Sequence, residues 1–94
     1  MPRPIVLNAH NGYHNFVDAV WVGRPSPWGN PYVIGRDGTR AEVIELYRVW
    51  IAERPDRVDK LRAMNPGYLV CACSPEACHA DVLAGLLDDS VAVL

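Results

Sequence analysis

A nine-residue segment, residues 23–31, most constrains what this chain can fold into. It reads Gly-Arg-Pro-Ser-Pro-Trp-Gly-Asn-Pro and holds three prolines and two glycines. Proline fixes φ and lacks a backbone donor, so this segment cannot form a helix interior or a central strand. It follows the apolar run 19–23, which is typical of a strand. We therefore predict a rigid loop at a strand end, where α/β proteins commonly bind ligands.

Three apolar runs predict the strands of a sheet. They lie at residues 4–8, 19–23 and 68–73, and the last is apolar enough to be buried on both faces. If the pair Asn11-Gly12 closes a hairpin, the first two strands are antiparallel neighbours. If it does not, residues 11–18 form a loop and the strands can be parallel. Residues 90–94 are interpreted as an edge strand or a tail.

Capping signals predict two or three helices. Thr39 and Glu42 have the spacing of a capping box, and apolar residues at helical spacing follow them: Val43, Ile44, Tyr47, Trp50 and Ile51. Pro55 ends that helix and opens a weaker one that extends to residue 64. Ser74, followed by proline and glutamate, predicts the start of a last helix through Leu87.

The order of these elements predicts a small single-domain α/β sandwich over residues 1–94. We expect a short, mostly parallel sheet of three to five strands flanked by two or three helices. The formal net charge of −2 gives no basic excess, which argues against non-specific binding of duplex DNA. No apolar run approaches a membrane span or a secretory leader, so we expect no membrane association and a cytoplasmic location.

Three cysteines and a histidine cluster near the end of the chain. Cys71, Cys73, Cys78 and His79 fall in the pattern Cys-x-Cys-x4-Cys-His. Three sulfurs and an imidazole are a sufficient tetrahedral set for zinc. Two adjacent helical residues point about 100° apart. Zinc binding by Cys78 and His79 therefore requires an irregular helix start.

The same cluster allows two other interpretations. A cysteine near a helix N-terminus can be a thiolate nucleophile, with Cys78 attacking, His79 nearby, and Asp81 orienting an imidazole or acting as an acid. Alternatively, the cysteines belong to the core, since cysteine is among the most buried residue types. The sequence leaves these three interpretations open.

Candidate ligand-binding residues lie in the proline-rich loop. Arg24 offers a fork for phosphate or carboxylate, and Trp28 a flat face for a base. Local positive charge from Arg24, Arg36 and Arg40 would suit a few phosphates. A structural interpretation is that Trp28 covers the core and Arg24 pairs with an acid. The full candidate set is Gly23, Arg24, Ser26, Trp28, Gly29 and Asn30.

These two segments together resemble the family of domain of unknown function 4326, found in bacteria and bacteriophages. The resemblance rests on residues 22–31, residues 34–40, Tyr47, and the Cys-Ala-Cys and Cys-His-Ala-Asp-Val-Leu segments. Ala80 departs from the family pattern, in which glycine is more usual. The resemblance implies that the loop and the cysteine segment belong to one module and face each other in one site. It implies no particular activity.

Two functional hypotheses follow. In the first, the chain binds or processes a nucleotide, a nucleic-acid derivative or another small anionic ligand at one site formed by the loop and the Cys-His helix start. In the second, it is a non-catalytic phage or bacterial module that binds a host protein, with structural cysteines or a zinc ion. Whether the chain is an enzyme is left open. A phage-encoded copy would act in the host cytoplasm.

Overall fold

Three parallel strands form a sheet within the residues that the structure describes. The computed structural model describes residues 2–9, 17–72 and 78–88. Strands β1 (Ile5–Asn8) and β2 (Ala19–Trp21) flank the central strand β3 (Tyr68–Cys71), and both run parallel to it. This confirms the predicted α/β class and the parallel alternative for the first two strands. The predicted turn at Asn11-Gly12 and the predicted strand at 90–94 lie outside the described residues.

The sheet brings its carboxyl ends to one edge. Asn8 lies opposite Cys71, and Trp21 lies opposite Val70. Beyond β2, the Val22 N–H still donates to the Val70 carbonyl at 3.0 Å. The chain segments that leave β2 and β3 therefore begin side by side. Both strands end earlier than predicted, which places the start of the proline-rich loop directly at this edge.

Helix α1 (Arg40–Ala52) follows the predicted capping signal. The Thr39 hydroxyl accepts from the Glu42 N–H at 3.3 Å, and the Glu42 carboxylate accepts from the Thr39 N–H at 2.9 Å. Two reciprocal bonds satisfy backbone donors that a helix start leaves open. Helix α2 (Pro55–Ala63) begins at a proline, as predicted. Both helices therefore start where local sequence chemistry favours it.

Helix α3 (His79–Leu87) begins later than predicted. Its N-cap is Cys78, with extended backbone at φ −152° and ψ 179°. The Cys78 sulfur accepts from the Ala80 N–H at 3.4 Å, and the Asp81 carboxylate accepts from the Cys78 N–H at 3.0 Å. The Cys78 thiol thus serves as the N-cap acceptor of α3, whereas the sequence predicts the hydroxyl of Ser74. Residues 74–77 lie outside the described residues.

The core lies between the sheet and the helices. Helix α3 contacts β1 and β3 on one side and α1 and α2 on the other. The largest fully buried side chains are Tyr47, Ile51, Leu61, Leu69, Leu83 and Leu87. Within the ranges the structure describes, none of the helices is long and apolar enough to cross a bilayer.

Replacing Tyr47 by phenylalanine should destabilise the protein. Its hydroxyl is buried and donates to the Trp28 carbonyl at 2.7 Å, so the variant leaves that carbonyl without its partner. We expect Tyr47→Phe to lower the free energy of unfolding by about 1–3 kcal/mol in urea titrations. Tyr32→Phe is the matched control, with an expected change under about 0.5 kcal/mol. Equal stabilities for the two variants would contradict the assigned bond.

Candidate functional site

A cavity of about 310 Å³ lies at the sheet edge where β2 and β3 end. The proline-rich loop contributes Gly23, Arg24 and Asn30 to its wall. The other side is formed by Cys71 and Ala72 after β3 and by Cys78 and His79 at the start of α3. The two segments singled out in the sequence thus line one cavity.

The loop is fixed in place through Trp28. The Trp28 indole N–H donates to the Arg57 carbonyl at 2.7 Å, and Tyr47 donates to the Trp28 carbonyl. The Arg57 guanidinium donates back to the Pro27 carbonyl at 2.7 Å. The Trp28 side chain is only 5% exposed and packs in the core, away from the cavity. Trp28 therefore covers the core, as one half of the structural interpretation has it, and its burial does not support the prediction of a face for a base.

Hydrogen bonds of Ser26 and Asn30 stabilise the loop conformation at the cavity wall. The Ser26 hydroxyl accepts from the Trp28 N–H at 3.2 Å, and Asn30 donates to the Val43 carbonyl at 3.1 Å while accepting from the Tyr32 N–H. Ser26 and Gly29 do not line the cavity. Asn30 does, and these bonds, which use one N–H and one acceptor site of its amide, hold the loop on α1. Its predicted role in ligand binding stays a prediction.

The two loop glycines provide space for side chains. A Cβ at Gly23 would overlap the Trp21 ring, and a Cβ at Gly29 would lie 2.9 Å from Arg24 Cγ. Neither glycine has a positive φ. Neither position therefore requires glycine for a left-handed backbone conformation. Their absent side chains instead allow Trp21 and Arg24 to lie against the loop, where both line the cavity.

The cavity carries positive charge although the chain is acidic overall. Arg24 and Arg40 line it, whereas none of the described lining residues is an aspartate or glutamate. Within the described ranges, the exposed Arg24 guanidinium has no hydrogen bond or ion pair, so the pairing with Asp18 or Glu42 is not formed. Arg36 is not part of the wall and pairs with Asp37 at 2.8 Å.

His79 is a buried, neutral imidazole. Its Nε2 lies 2.7 Å from the Val22 carbonyl oxygen, and because a carbonyl can only accept, Nε2 carries the proton. Its ring meets the Tyr47 ring edge-on, with centroids 5.1 Å apart. Burial lowers the pKa of His79 below its ordinary 6.5, and the charge of Arg24 lowers it further, against the opposing effects of the Val22 bond and Asp81.

Two of the three cysteines meet at the cavity wall. The Cys71 and Cys78 sulfurs are 3.1 Å apart, and both side chains are buried. Cys73 lies outside the described residues, so the predicted zinc set stays a prediction. Among residues 2–9, 17–72 and 78–88, no cluster of three His, Cys, Asp or Glu side chains could hold a metal ion. The bond from His79 to Val22 also leaves only Nδ1 of that ring for a ligand.

Asp81 does not take the predicted catalytic position. Its carboxylate accepts from the Cys78 backbone, and the Nε2 of His79 is turned to Val22. Asp81 lines a separate cavity, beside Arg3 and Arg48. It therefore fixes the start of α3 and does not face the loop.

Sequence reasoning missed several residues of the cavity wall. Trp21 and Tyr32 bring aromatic rings, and Val33, Ile34, Val43 and Ile44 bring apolar surface. The position of Trp21 was the available signal, since it ends a strand just before a glycine. The prediction named Trp28, which lies inside the proline-rich loop, whereas Trp21 lies just before the loop.

Comparison with known proteins identifies a family whose match includes both the loop and the Cys-His helix start. The family model described as domain of unknown function, DUF4326, matches residues 5–89. The chain belongs to the DUF4326 family. In this DUF4326 chain, the loop and the Cys-His helix start line a common cavity.

A phage protein is among the relatives of this DUF4326 chain. It is the uncharacterized 12.4 kDa protein in the nrdA-td intergenic region of Enterobacteria phage T4, 31% identical over 86 residues. The match covers 83% of this chain and 74% of the phage protein. No solved structure matches this chain.

The buried imidazole should make stability depend on pH. The folded pKa of His79 lies below the unfolded value of 6.5, so the unfolded state binds the proton first and stability falls as pH drops below 6.5. Between pH 7.5 and 5.5 we expect the free energy of unfolding of the wild-type protein to fall by up to about 1.4 kcal/mol. His79→Gln should not show this fall. Urea titrations at both pH values test this, and the other two histidines are common to both proteins. An identical pH dependence for the two proteins would refute it.

The cap of α3 gives a second expectation. Cys78→Ser retains a side-chain acceptor for the Ala80 N–H, whereas Cys78→Ala removes it. We expect Cys78→Ala to lower the free energy of unfolding by about 0.5–2 kcal/mol relative to Cys78→Ser. Thermal or urea unfolding of the pair measures the difference. Indistinguishable variants would mean that the sulfur does not cap the helix.

Proposed function

We propose that this DUF4326 chain binds a small anionic ligand with a planar ring, of the nucleotide class, in the cavity at the ends of β2 and β3. The observation that carries the proposal is the Arg24 guanidinium, which lines the cavity without a partner among the described residues. Arg40 adds a second positive charge. Arginine binds phosphate through a planar fork of donors, which suits this arrangement.

The remaining wall supports recognition of a planar ring. Trp21 and Tyr32 are both partly buried and line the cavity, and aromatic faces of this kind stack on bases. Trp21 therefore takes the role that sequence reasoning gave to Trp28. Apolar side chains and two arginines together form the usual composition of a small-molecule site.

The size of the cavity favours a small molecule. Its volume of about 310 Å³ is at the lower end of the range for ligand pockets, roughly 300–1,000 Å³. A single nucleotide or a smaller derivative suits it better than a nucleic-acid strand. The net charge of −2 supports the same choice, because polymer binding needs a wider basic surface.

Cys78 is the residue that would carry chemistry on such a ligand. Its sulfur lies at the N-terminus of α3 and accepts from the Ala80 N–H, both of which stabilise a thiolate. His79, the next residue, binds the Val22 carbonyl at the start of the loop, and its lowered pKa favours the neutral imidazole. We assign Cys78 as the candidate nucleophile, His79 as its structural neighbour, and Asp81 as the support for the helix start.

A protein-binding role is the second candidate. Leu46 and Val49 on the outer face of α1 are 40% and 61% exposed, and they border a shallow groove with Trp50. Exposed apolar surface of this kind is common at protein interfaces. This face is separate from the cavity, so a single set of variants distinguishes the two roles.

A panel of nucleoside monophosphates should stabilise the protein in thermal shift measurements. At ten times its dissociation constant, a ligand adds about 1.4 kcal/mol to the free energy of unfolding. We expect at least one monophosphate to raise the melting temperature more than its nucleoside or inorganic phosphate does alone. Arg24→Ala should reduce the monophosphate effect to that of the nucleoside.

The matched control is Arg48→Ala, which removes the same charge from an exposed pair with Glu45 outside this cavity. It should keep the full ligand response. No response to any nucleotide, or an equal loss in both arginine variants, would contradict the proposed site and favour the protein-binding role.

A further inference from the structure

The two sulfurs at the cavity wall are arranged for chemistry with each other. Cys71 Sγ and Cys78 Sγ are 3.1 Å apart, roughly 1 Å longer than a disulfide bond of about 2.05 Å. At this distance no disulfide bond joins the two residues. They come from different elements, the end of β3 and the cap of α3, so the fold brings together residues seven positions apart.

We propose that Cys71 and Cys78 form a redox-active dithiol that reacts with small disulfides such as oxidised glutathione. This site does not depend on which ligand the cavity binds. Its basis is the short sulfur–sulfur distance together with the unequal surroundings of the two thiols.

Cys78 is the attacking thiol. It caps α3, where the partial positive charge of the helix N-terminus and the Ala80 N–H favour the thiolate. It also lines both the cavity and the neighbouring cavity beside Arg3 and Arg48, so a small molecule has two approaches to it. Cys71 lies in the central strand, away from the helix N-terminus, which makes it the resolving thiol; its exposure of 1% is close to the 4% of Cys78, so the position at the helix N-terminus distinguishes the two.

The reaction has two exchange steps. The Cys78 thiolate attacks one sulfur of the small disulfide, forms a mixed disulfide and releases one small thiolate. The Cys71 thiolate then attacks the Cys78 sulfur and releases the second small thiolate. The two protons lost by the protein thiols are taken up by the released thiolates. Two electrons thus pass from the protein to the small disulfide, and excess reduced glutathione reverses both steps.

The test uses the variant Cys73→Ser, which leaves only the two proposed thiols. The protein is equilibrated with oxidised glutathione, quenched in acid, and analysed by intact mass and peptide mapping. We expect loss of both thiols, a mass lower by two hydrogen atoms, and a Cys71–Cys78 crosslink without bound glutathione. Peptide mapping of the wild-type chain should give the same crosslink, which keeps the test valid if the variant folds poorly.

Two further variants separate the roles of the thiols. Cys71→Ser with Cys73→Ser should retain one glutathione on Cys78, because no resolving thiol is left. Cys73→Ser with Cys78→Ser should react at Cys71 at least about tenfold more slowly, since that thiol is buried away from the helix N-terminus. Equal rates for these two variants would overturn the assigned order of attack.

Three results would overturn the dithiol itself. The first is a wild-type crosslink that involves Cys73 in place of Cys71 or Cys78. The second is a Cys73→Ser protein that keeps both thiols or accumulates only glutathione adducts. The third is stoichiometric zinc in the purified wild-type protein, with thiols that react only after chelation.

Discussion

One hydrogen bond joins the two halves of the candidate site. The Nε2–H of His79 donates to the carbonyl of Val22 at 2.7 Å, across 57 positions of sequence. Val22 is the residue between β2 and the proline-rich loop, and His79 is the first residue of α3. Because this bond fixes the loop start against the helix start, it determines the width of the cavity between them. Burial favours the neutral form of this imidazole, whose Nε2–H donates the bond.

Helices α1 and α2 hold the remainder of the proline-rich loop. Tyr47 of α1 and Arg57 of α2 bind the backbone around Trp28, so the tryptophan works as an anchor inside the core. The Arg24 guanidinium lies at the cavity, where it has no partner among the described residues. Arg24 and Arg40 line the cavity although the chain has a net charge of −2, so the local charge at the cavity differs from the average over the chain.

Much of the fold follows from local sequence chemistry. The Thr39–Glu42 capping box, the proline at the start of α2 and the apolar run of β3 each act over a few residues, and each prediction from them is confirmed. The family resemblance correctly implied that the loop and the cysteine segment meet. The predictions that the structure does not support concern residues whose position depends on tertiary packing. Trp28 and Trp21 are equally good candidates for stacking when judged from the sequence. In the folded chain, Trp28 is buried in the core and Trp21 lines the cavity. The cap of α3 was missed because cysteine is an uncommon N-cap residue and Ser74 a common one.

The central claim is that this cavity is a binding site for a small anionic ligand. It is tested most directly by amide chemical-shift mapping of the labelled protein titrated with a nucleoside monophosphate. The account predicts shifts that saturate and concentrate at residues 22–24, 32–34 and 78–80, on both walls of the cavity. Shifts confined to the outer face of α1, or no saturating shift at any residue, would contradict it.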